Sequence, residues 1–421
     1  MASGQSRPAL TIHWVSPLPP AETDIAHYTA RILPALAALA EVVLWTNALE
    51  WDLSLERYCT VKHFDPDTIL PREFTAARRG TGPEVIFVHI GNSWVYHAGF
   101  LRLAQRIPSI VVLHDLAIQE LMIEAVEYNE WDAPSYLAGM KKWYGPEGME
   151  VGKACLVKEE KGAEICGRMP GFELVMDKAL AVLVHTGPAQ KTVQARLPDL
   201  PCHLLPLPFE IGASPARSQV SSGPLRLLQF GWIGPNRRLE QVLEALAKMP
   251  AGFDFRLDVM GKIWNPELIQ AKLAQLDLVD RVYLHGFVAE PVLEEALRQA
   301  DLVLNLRHPS MGEASGSQLR IWNAGAPAAV TRKAWYAELP DNVAYFIDLE
   351  DEVAQLHSLF ETLAADRSSS TEVGAAGRAY FEAHHDPASY AEEIINIASQ
   401  STEIYSKKLA RRLSLTQRSA L

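Results

Sequence analysis

The sequence predicts an α/β protein built from two doubly wound, Rossmann-like domains that face each other across a cleft, each a parallel sheet covered by helices on both sides. Three observations carry that prediction. Short apolar, β-branched runs recur through the chain, each bounded by turn residues and followed by a segment of helical period, which is the signature of βαβ units. The runs fall into two sets, separated by a stretch with no period at all. The length of 421 residues asks for more than one core, because single cores stop growing near roughly 250 to 300 residues.

The first set comprises "LTIHWVS" (10–16), "EVVLWT" (41–46), "YCTVKHF" (58–64), "EVIFVHI" (84–90), "SIVVLHD" (109–115) and "ALAVLVHT" (179–186). Nearly unbroken Val, Ile and Leu mark strands buried on both faces, as parallel sheets require. From about 120 to 178 the period turns helical, with an aromatic and glycine-containing piece, "YLAGMKKWYGPEGM", expected near the cleft mouth. The stretch 208–224, "PFEIGASPARSQVSSGP", is rich in Pro, Gly and Ser and reads as a linker. The second set follows: "LRLLQFGW" (225–232), "FRLDVMG" (255–261), "RVYLHGF" (281–287), "DLVLNLR" (301–307), "APAAVT" (326–331) and "VAYFIDL" (343–349). After 351 the chain is helical, and Asp386-Pro387 breaks it so that a last helix can turn back across the first domain. The expected organisation is 1–208, linker 209–224, 225–385, and 386–421 as a final helix with a basic tail.

Composition narrows the function. A hydrophobic fraction of 48% with 21% charged residues describes a globular chain. A formal charge of −12 disfavours a general nucleic-acid binder, which needs an excess of Lys and Arg to displace counterions. No apolar run approaches the roughly 18 residues of a membrane span, and the start lacks a signal pattern, so the expected compartment is cytoplasmic. The four cysteines are widely spaced and read as free thiols, and the thirteen histidines show no ligand spacing, so no metal is expected. The tail carries Lys407, Lys408, Arg411, Arg412 and Arg418, readable as a solvated end or as a contact with acidic lipid at the inner face of a membrane.

Parallel sheets bind ligands at the carboxyl ends of their strands, and there the chemistry-bearing residues gather. "GWIGPNRRLEQVLEAL" brings Gly231 and Gly234, then Arg237 and Arg238 at a helix start. Glycines admit close backbone approach and arginines offer bidentate donors, so a diphosphate site is the functional reading; a plain turn with solvated arginines is the alternative. "HPSMGEASGSQLRIWNAGAP" (308–327) sets Glu313 before the small residues Ser315, Gly316 and Ser317, which open a helix carrying Arg320. Backbone amides at a helix start bind anions. A carboxylate beside such an anion is unwelcome unless it binds hydroxyls, a condition met by a sugar attached to phosphate; Glu313 could otherwise simply cap the helix. In the first set, "FVHIGNS" and "VVLHD" bring His89 with Asn92, and His114 with Asp115, to strand ends.

In order and spacing these segments resemble the retaining glycosyltransferases of family 4, with the GT-B architecture, over nearly the whole length. "VSPLPPAETDIAHYTARILPAL" is similar to the family's N-terminal strand and loop, "HIGNS", "VVLHD" and "VLVHT" to three further strand ends, and "FGWIGPNRRLEQVLEAL" to its phosphate-binding unit. "HGFVAEPVLEEALRQADLVLNLRHPSMGEASGS" closely resembles the donor core of a subgroup with Gly-Glu-x-Ser-Gly-Ser. The resemblance implies transfer of a sugar, with retained anomeric configuration, from a UDP- or GDP-sugar co-substrate to a hydroxyl of a glycan or lipid-linked saccharide, as in polysaccharide biosynthesis, without a cofactor or metal. It puts Arg237 at the diphosphate, Glu313 at the sugar hydroxyls, His114 beside the reacting sugar, Phe287 and Val288 against the base, and loop 19–28 over phosphates or acceptor. Three positions depart from the pattern: Asp24 replaces the loop glycine, Trp232 a common arginine, and, in the helix register fixed by Gly325 and Pro327, Arg320 stands in place of the second glutamate of Glu-x7-Glu. The same cradle would serve a sugar phosphorylase or a nucleotide-sugar epimerase, and the departures leave room for a catalytically silent binding subunit.

Overall fold

The computed structural model describes residues 10–212 and 223–401. Most of the expected linker (213–222) and nearly all of the basic tail (402–421) lie outside the described residues. The chain divides into two compact units. One holds the chain up to Phe209, Met311–Ala314 and everything from Pro387; the other holds Glu210–Ser310 and Ser315–Asp386.

The first unit is a seven-stranded parallel sheet of β1 (Thr11–Val15), β2 (Glu41–Thr46), β3 (Thr60–His63), β4 (Glu84–Ile90), β5 (Ser109–Leu113), β6 (Ala179–Val184) and β7 (Cys202–Leu204), in the order β3-β2-β1-β4-β5-β6-β7. Alternate residues of one strand feed opposite cores. Val15, Val88, Ile90, Val111 and Leu113 lie in one; Ile12, Trp14, Phe87, Ile110 and Val112 lie in the other. That is why the strands read as unbroken apolar runs. The second core also takes Tyr390, Ala391, Ile394, Ile397 and Ala398 from the helix 387–401. Burial of each of its larger aliphatic side chains contributes about 1.5 to 3 kcal/mol. The stretch 120–178 is largely helical, with the helix Ala133–Leu156 kinked at Gly145-Pro146. The edge strand β7 was not anticipated, because a three-residue strand in the four residues between Pro201 and Pro206 is too short to show a period.

The second unit repeats the plan with six parallel strands: β8 (Leu225–Phe230), β9 (Phe255–Met260), β10 (Val282–Gly286), β11 (Leu302–Leu304), β12 (Ala328–Thr331) and β13 (Tyr345–Ile347), in the order β10-β9-β8-β11-β12-β13. All six strands expected in this half are present. β11 is shorter than the apolar run "DLVLNLR"; just past it the Asn305 amide donates to the Ala329 carbonyl of β12 at 2.9 Å, while the Asn305 side chain joins a buried polar network.

Both sheets share one strand order. In each, the chain winds outward from the first strand, returns, and winds the other way, so a topological switch point lies between β1 and β4 and another between β8 and β11. Crevices at such points, outside the carboxyl ends, are where doubly wound sheets bind ligands.

Candidate functional site

At the carboxyl ends of β8, β9 and β10 stand three glycines in a row, Gly231, Gly261 and Gly286, with φ of 95°, 143° and 66°. They are tied together: the Gly231 amide donates to the Met260 carbonyl at 2.9 Å and the Gly261 amide to that of Gly286 at 2.7 Å. A Cβ on Gly261 would stand 1.9 Å from the Gly231 carbonyl oxygen, so only glycine fits there. Around Gly231 and Gly286 a Cβ would meet nothing within 4 Å. The backbone is bare where a ligand would approach.

The switch point of this sheet is bridged by Arg237. Its Nη2 donates to the Phe230 carbonyl at the end of β8 (3.1 Å) and to Asn305 Oδ1 just past β11 (3.0 Å). Asn305 in turn donates to Gln318 Oε1 and Tyr336 Oη, both at 2.9 Å, and Gln229 donates to the Arg237 carbonyl at 2.7 Å. Arg237 is only 3% exposed. The residue expected at a diphosphate is thus built into the floor of the switch point.

Arg238 adopts the left-handed conformation, φ 60°. Its guanidinium is gripped by Glu352, with Nε at 3.0 and 3.2 Å from the two carboxylate oxygens and Nη2 bonded as well. Ser315 caps the helix Gly316–Asn323, its hydroxyl accepting from the Gln318 amide at 3.2 Å, so Gly316 and Ser317 form the first turn as expected. That helix stops at Asn323, followed by Gly325 with φ 64°. Because it follows β11, its amino end points to the same edge as the glycine row. Arg320 pairs with Glu290 at the start of the helix Glu290–Gln299. Phe287, expected with Val288 against a base, is 91% exposed at the end of β10. Trp232 is exposed as well, with Lys262 Nζ 5.9 Å above its ring.

In the first unit, three histidines stand at the ends of adjacent strands: His89 on β4, His114 after β5 and His185 after β6. His89 Nδ1 and His114 Nε2 are 2.9 Å apart, and the His114 and His185 ring centroids 4.9 Å apart. His185 Nδ1 donates to the Leu205 carbonyl (2.9 Å) and His97 Nδ1 to the His89 carbonyl (3.0 Å). Tyr28, whose hydroxyl meets that of Tyr390 at 2.7 Å, packs edge-on against His114 at 4.8 Å. Burial, and next the neighbouring rings, hold His89 and His114 well below the usual imidazole range. Burial alone pushes His97 and His185 down to about 4, against the lift of their carbonyl bonds. All four are neutral at physiological pH.

His89 was expected in an acceptor or phosphate loop; it is fully buried behind His114. Asn92 is tied in on three sides: its amide N–H donates to Asp115 Oδ2 (2.8 Å), its side chain donates to Glu120 Oε2 (2.9 Å), and it accepts from the Leu121 amide (3.0 Å). Burial lifts the Glu120 carboxyl above its usual range, against the lowering bond from Asn92. Asp24 is the first residue of the helix Asp24–Leu39, capped by Thr23, and lies exposed. An acid there suits the helix dipole and opposes a bound phosphate.

Glu313 falls in the first unit, although Ser315, two residues on, begins a helix of the second. The Met311 carbonyl accepts from the amides of Leu116 and Ala117, both at 2.9 Å, and the Gly312 carbonyl from Thr186 Oγ1 at 3.0 Å. Gly312 has φ 82°, and a Cβ there would stand 2.7 Å from that of Leu116. Glu313 Oε2 accepts from the Met311 amide at 2.6 Å. The carboxylate is therefore held beside the ends of β5 and β6, next to the turn that carries Asp115.

His185, Tyr28, Glu120, Asn305 and Gly261 were not singled out from sequence. His185 and Gly261 end expected strands, a signal that could have found them; Asn305, Tyr28 and Glu120 matter through distant partners that no local pattern marks. Among the described residues, no group of His, Cys, Asp and Glu is placed to hold a metal ion, and no helix is long and apolar enough to cross a membrane.

Residues 237–396 match the family described as glycosyl transferase-like. No curated protein matches the chain. Solved structures similar to it include Anabaena Alr3699/HepE in complex with UDP and glucose (14% identity, 93% of this chain and 99% of that one, TM-score 0.58). Sucrose-phosphate synthase from Thermosynechococcus elongatus is similar at 16% identity over 96% and 100%, TM-score 0.59. A glycosyltransferase from Rickettsia africae ESF-5 is similar at 9% identity over 93% and 98%, TM-score 0.61. Two parallel Rossmann-like sheets with such neighbours define the GT-B fold. The matched segment begins at Arg237 and contains Asn305, Glu313 and the Ser315-capped helix.

Proposed function

We propose that the chain is a retaining glycosyltransferase that moves a hexosyl group from a UDP-sugar to a hydroxyl of a glycan or lipid-linked saccharide. The observation that carries this reading is the switch point between β8 and β11, where Gly231, Arg237, Asn305 and the amino end of the helix Gly316–Asn323 meet at one sheet edge. Bare backbone, a fixed cation and free helix amides together suit a diphosphate. The complex of Anabaena Alr3699/HepE with UDP and glucose supports uridine over guanosine.

In this reading the second unit holds the nucleotide: Gly231, Arg237, Arg238 and the amides of Ser315, Gly316 and Ser317 at the phosphates, Phe287 and Val288 at the base, and Arg320 beside them. His114 and Glu313 in the first unit serve the sugar, and Asn92 and loop 19–28 with Asp24 the acceptor side. The bond from the anomeric carbon to the diphosphate oxygen breaks while the acceptor oxygen bonds that carbon on the same face. The acceptor's proton passes to the departing diphosphate oxygen, so the protein supplies position and charge stabilisation rather than a nucleophile.

The test is a thermal-shift panel of nucleotide sugars on the full chain, followed by NMR of the transferred anomer. A donor at a hundred times its Kd adds about 2.7 kcal/mol. A product of inverted configuration would end the retaining assignment; no stabilisation by any nucleotide sugar would end the donor assignment. A second reading is a catalytically silent nucleotide-sugar-binding chain, favoured by the engagement of Arg238 and Arg320 with acids of the same chain. Tight UDP binding without transfer or slow hydrolysis of any donor would select it.

A further inference from the structure

We propose that His89 is a positioning residue: it locks His114 into the neutral imidazole that carries its proton on Nδ1, so that His114 can offer a ligand only a hydrogen-bond donor. The two rings share one contact, His89 Nδ1 to His114 Nε2 at 2.9 Å, and a neutral pair places a single proton in it.

Two arrangements are possible. If His114 Nε2 donates, His89 Nδ1 must accept, and His89 then carries its proton on Nε2. That atom is buried without a hydrogen-bond partner, so the arrangement leaves an orphaned N–H in the core. If His89 Nδ1 donates, His89 Nε2 is left as a bare lone pair. A buried donor without an acceptor is the rarer and costlier defect. The second arrangement wins, and His114, with Nε2 accepting, must hold its proton on Nδ1. Among the described residues, Nδ1 of His114 has no hydrogen-bond partner, but His114 is partly exposed and that nitrogen is not buried as His89 Nε2 is, so its N–H opens to solvent rather than into the core.

The surroundings enforce this choice. His97 Nδ1 is committed to the His89 carbonyl and His185 Nδ1 to the Leu205 carbonyl; a carbonyl only accepts, so both of these rings are protonated on Nδ1 as well. Trp14 lies against His89 with ring centroids 4.3 Å apart, and Tyr28 lies edge-on to His114, which restricts ring flips. A second proton on any ring would put a cation into this packed cluster. His114 therefore acts as a donor to an oxygen, a sugar hydroxyl or a phosphate oxygen, and not as a base. This consequence rests on the glycosyl-transfer reading; the tautomer does not.

The experiment is two-bond 1H–15N NMR on the full chain with 15N-labelled histidine near pH 7.5, the His114 ring being identified by its loss in His114→Gln. The expected wild-type spectrum shows His114 neutral with its proton on Nδ1. His89→Leu should release it toward the Nε2-protonated form, whereas His89→Asn, whose amide can donate from the place of Nδ1, should retain the wild-type tautomer. A wild-type His114 protonated on Nε2 overturns the proposal, and so does an unchanged tautomer in a folded His89→Leu. If His89→Leu does not fold, the wild-type spectrum and His89→Asn still decide. With an active donor, His89→Leu should lower kcat at least about tenfold while the donor KM stays within about twofold, and His89→Asn should recover it. An Nδ1-protonated His114 in a chain that transfers no sugar would overturn the transfer reading and uphold the tautomer.

Discussion

Arg238 and Glu352 hold each other in a three-point grip across the second unit, with Glu352 only 3% exposed and Arg238 about a quarter exposed. The grip stabilises a non-glycine residue in the left-handed region and occupies a guanidinium that the phosphate reading needs. Glu352→Gln separates the two roles. It should lower the stability of the unit by about 2 kcal/mol, since a hydrogen bond to a charged group contributes roughly 1.5 to 3, while tightening the binding of UDP as Arg238 is released. Calorimetric titration with UDP beside a thermal melt measures both. A variant that loses stability and binds UDP more weakly would place Arg238 outside the phosphate site.

The histidine cluster predicts acid sensitivity of a definite sign. His97 and His185 titrate near 4 in the folded chain, against about 6.5 when unfolded. The unfolded chain thus takes up protons that the folded chain refuses. The stability that these two groups contribute is fully present above pH 6.5 and is lost as the pH drops from 6.5 to about 4. Each histidine contributes on the order of 3 kcal/mol over that window. Melting temperature measured from pH 7.5 to 4.5 should fall steadily, and His97→Asn, which keeps a donor for the His89 carbonyl, should flatten the slope. A melting temperature independent of pH across the window would contradict the burial argument.

Gly261 predicts a steric effect confined to one position in the glycine row. Gly261→Ala would put a Cβ 1.9 Å from the Gly231 carbonyl oxygen at φ 143°, and should cost about 3 kcal/mol or more. Gly286→Ala, with open space around it, should cost only about 1 to 2 kcal/mol for its positive φ. Comparing the two melts isolates close packing from backbone conformation. Equal losses would mean that the glycines serve conformation alone.

How much of this was legible in the sequence depended on how local each signal was. All the strands but the edge strand β7 were readable, most plainly those that are buried on both faces and stay apolar without interruption, as "SIVVL" and "ALAVLV" do. The helix after Ser315 was readable from its cap, and its end from Gly325 and Pro327. What could not be read was direction and partnership. "NRR" offered two adjacent arginines, and nothing local told that Arg237 turns inward to Asn305, 68 residues later, while Arg238 turns to Glu352, 114 residues later. Nor did "SMGEASGS" reveal that Glu313 and Ser315 fall in different units; that division is made by the amides of Leu116 and Ala117 and the hydroxyl of Thr186.

Arg320 and Glu290 form a partly exposed ion pair, and such pairs contribute about 0 to 1 kcal/mol. Arg320→Ala should therefore leave the melting temperature nearly unchanged. If Arg320 serves the nucleotide, as its place on the capped helix proposes, UDP affinity should fall at least about tenfold in Arg320→Ala, and Glu290→Ala, which frees the guanidinium, should bind UDP no worse than the parent chain. Unchanged UDP affinity in Arg320→Ala would reduce the pair to a surface contact.

Arg237 and Glu313 now carry different expectations under substitution. Loss of a phosphate-stabilising donor at Arg237, or of the carboxylate that would hold the sugar hydroxyls at Glu313, should each cost on the order of 3 kcal/mol of barrier, or about a hundredfold in rate. Arg237→Ala should also weaken the fold the more strongly of the two, because it leaves Asn305 Oδ1 and the Phe230 carbonyl without their bonds from Nη2 in a buried setting, at about 1 to 3 kcal/mol for each group. Glu313→Ala removes a carboxylate that accepts from the Met311 amide of its own loop, a bond that contributes about 1 kcal/mol. Rate must therefore be measured on Arg237→Ala well below its lowered melting temperature, with circular dichroism to confirm folding. A hundredfold loss in folded Glu313→Ala, measured below its melting temperature, would tie Glu313 to the reaction. A parental rate there would reduce it to a loop clasp, whatever Arg237→Ala does.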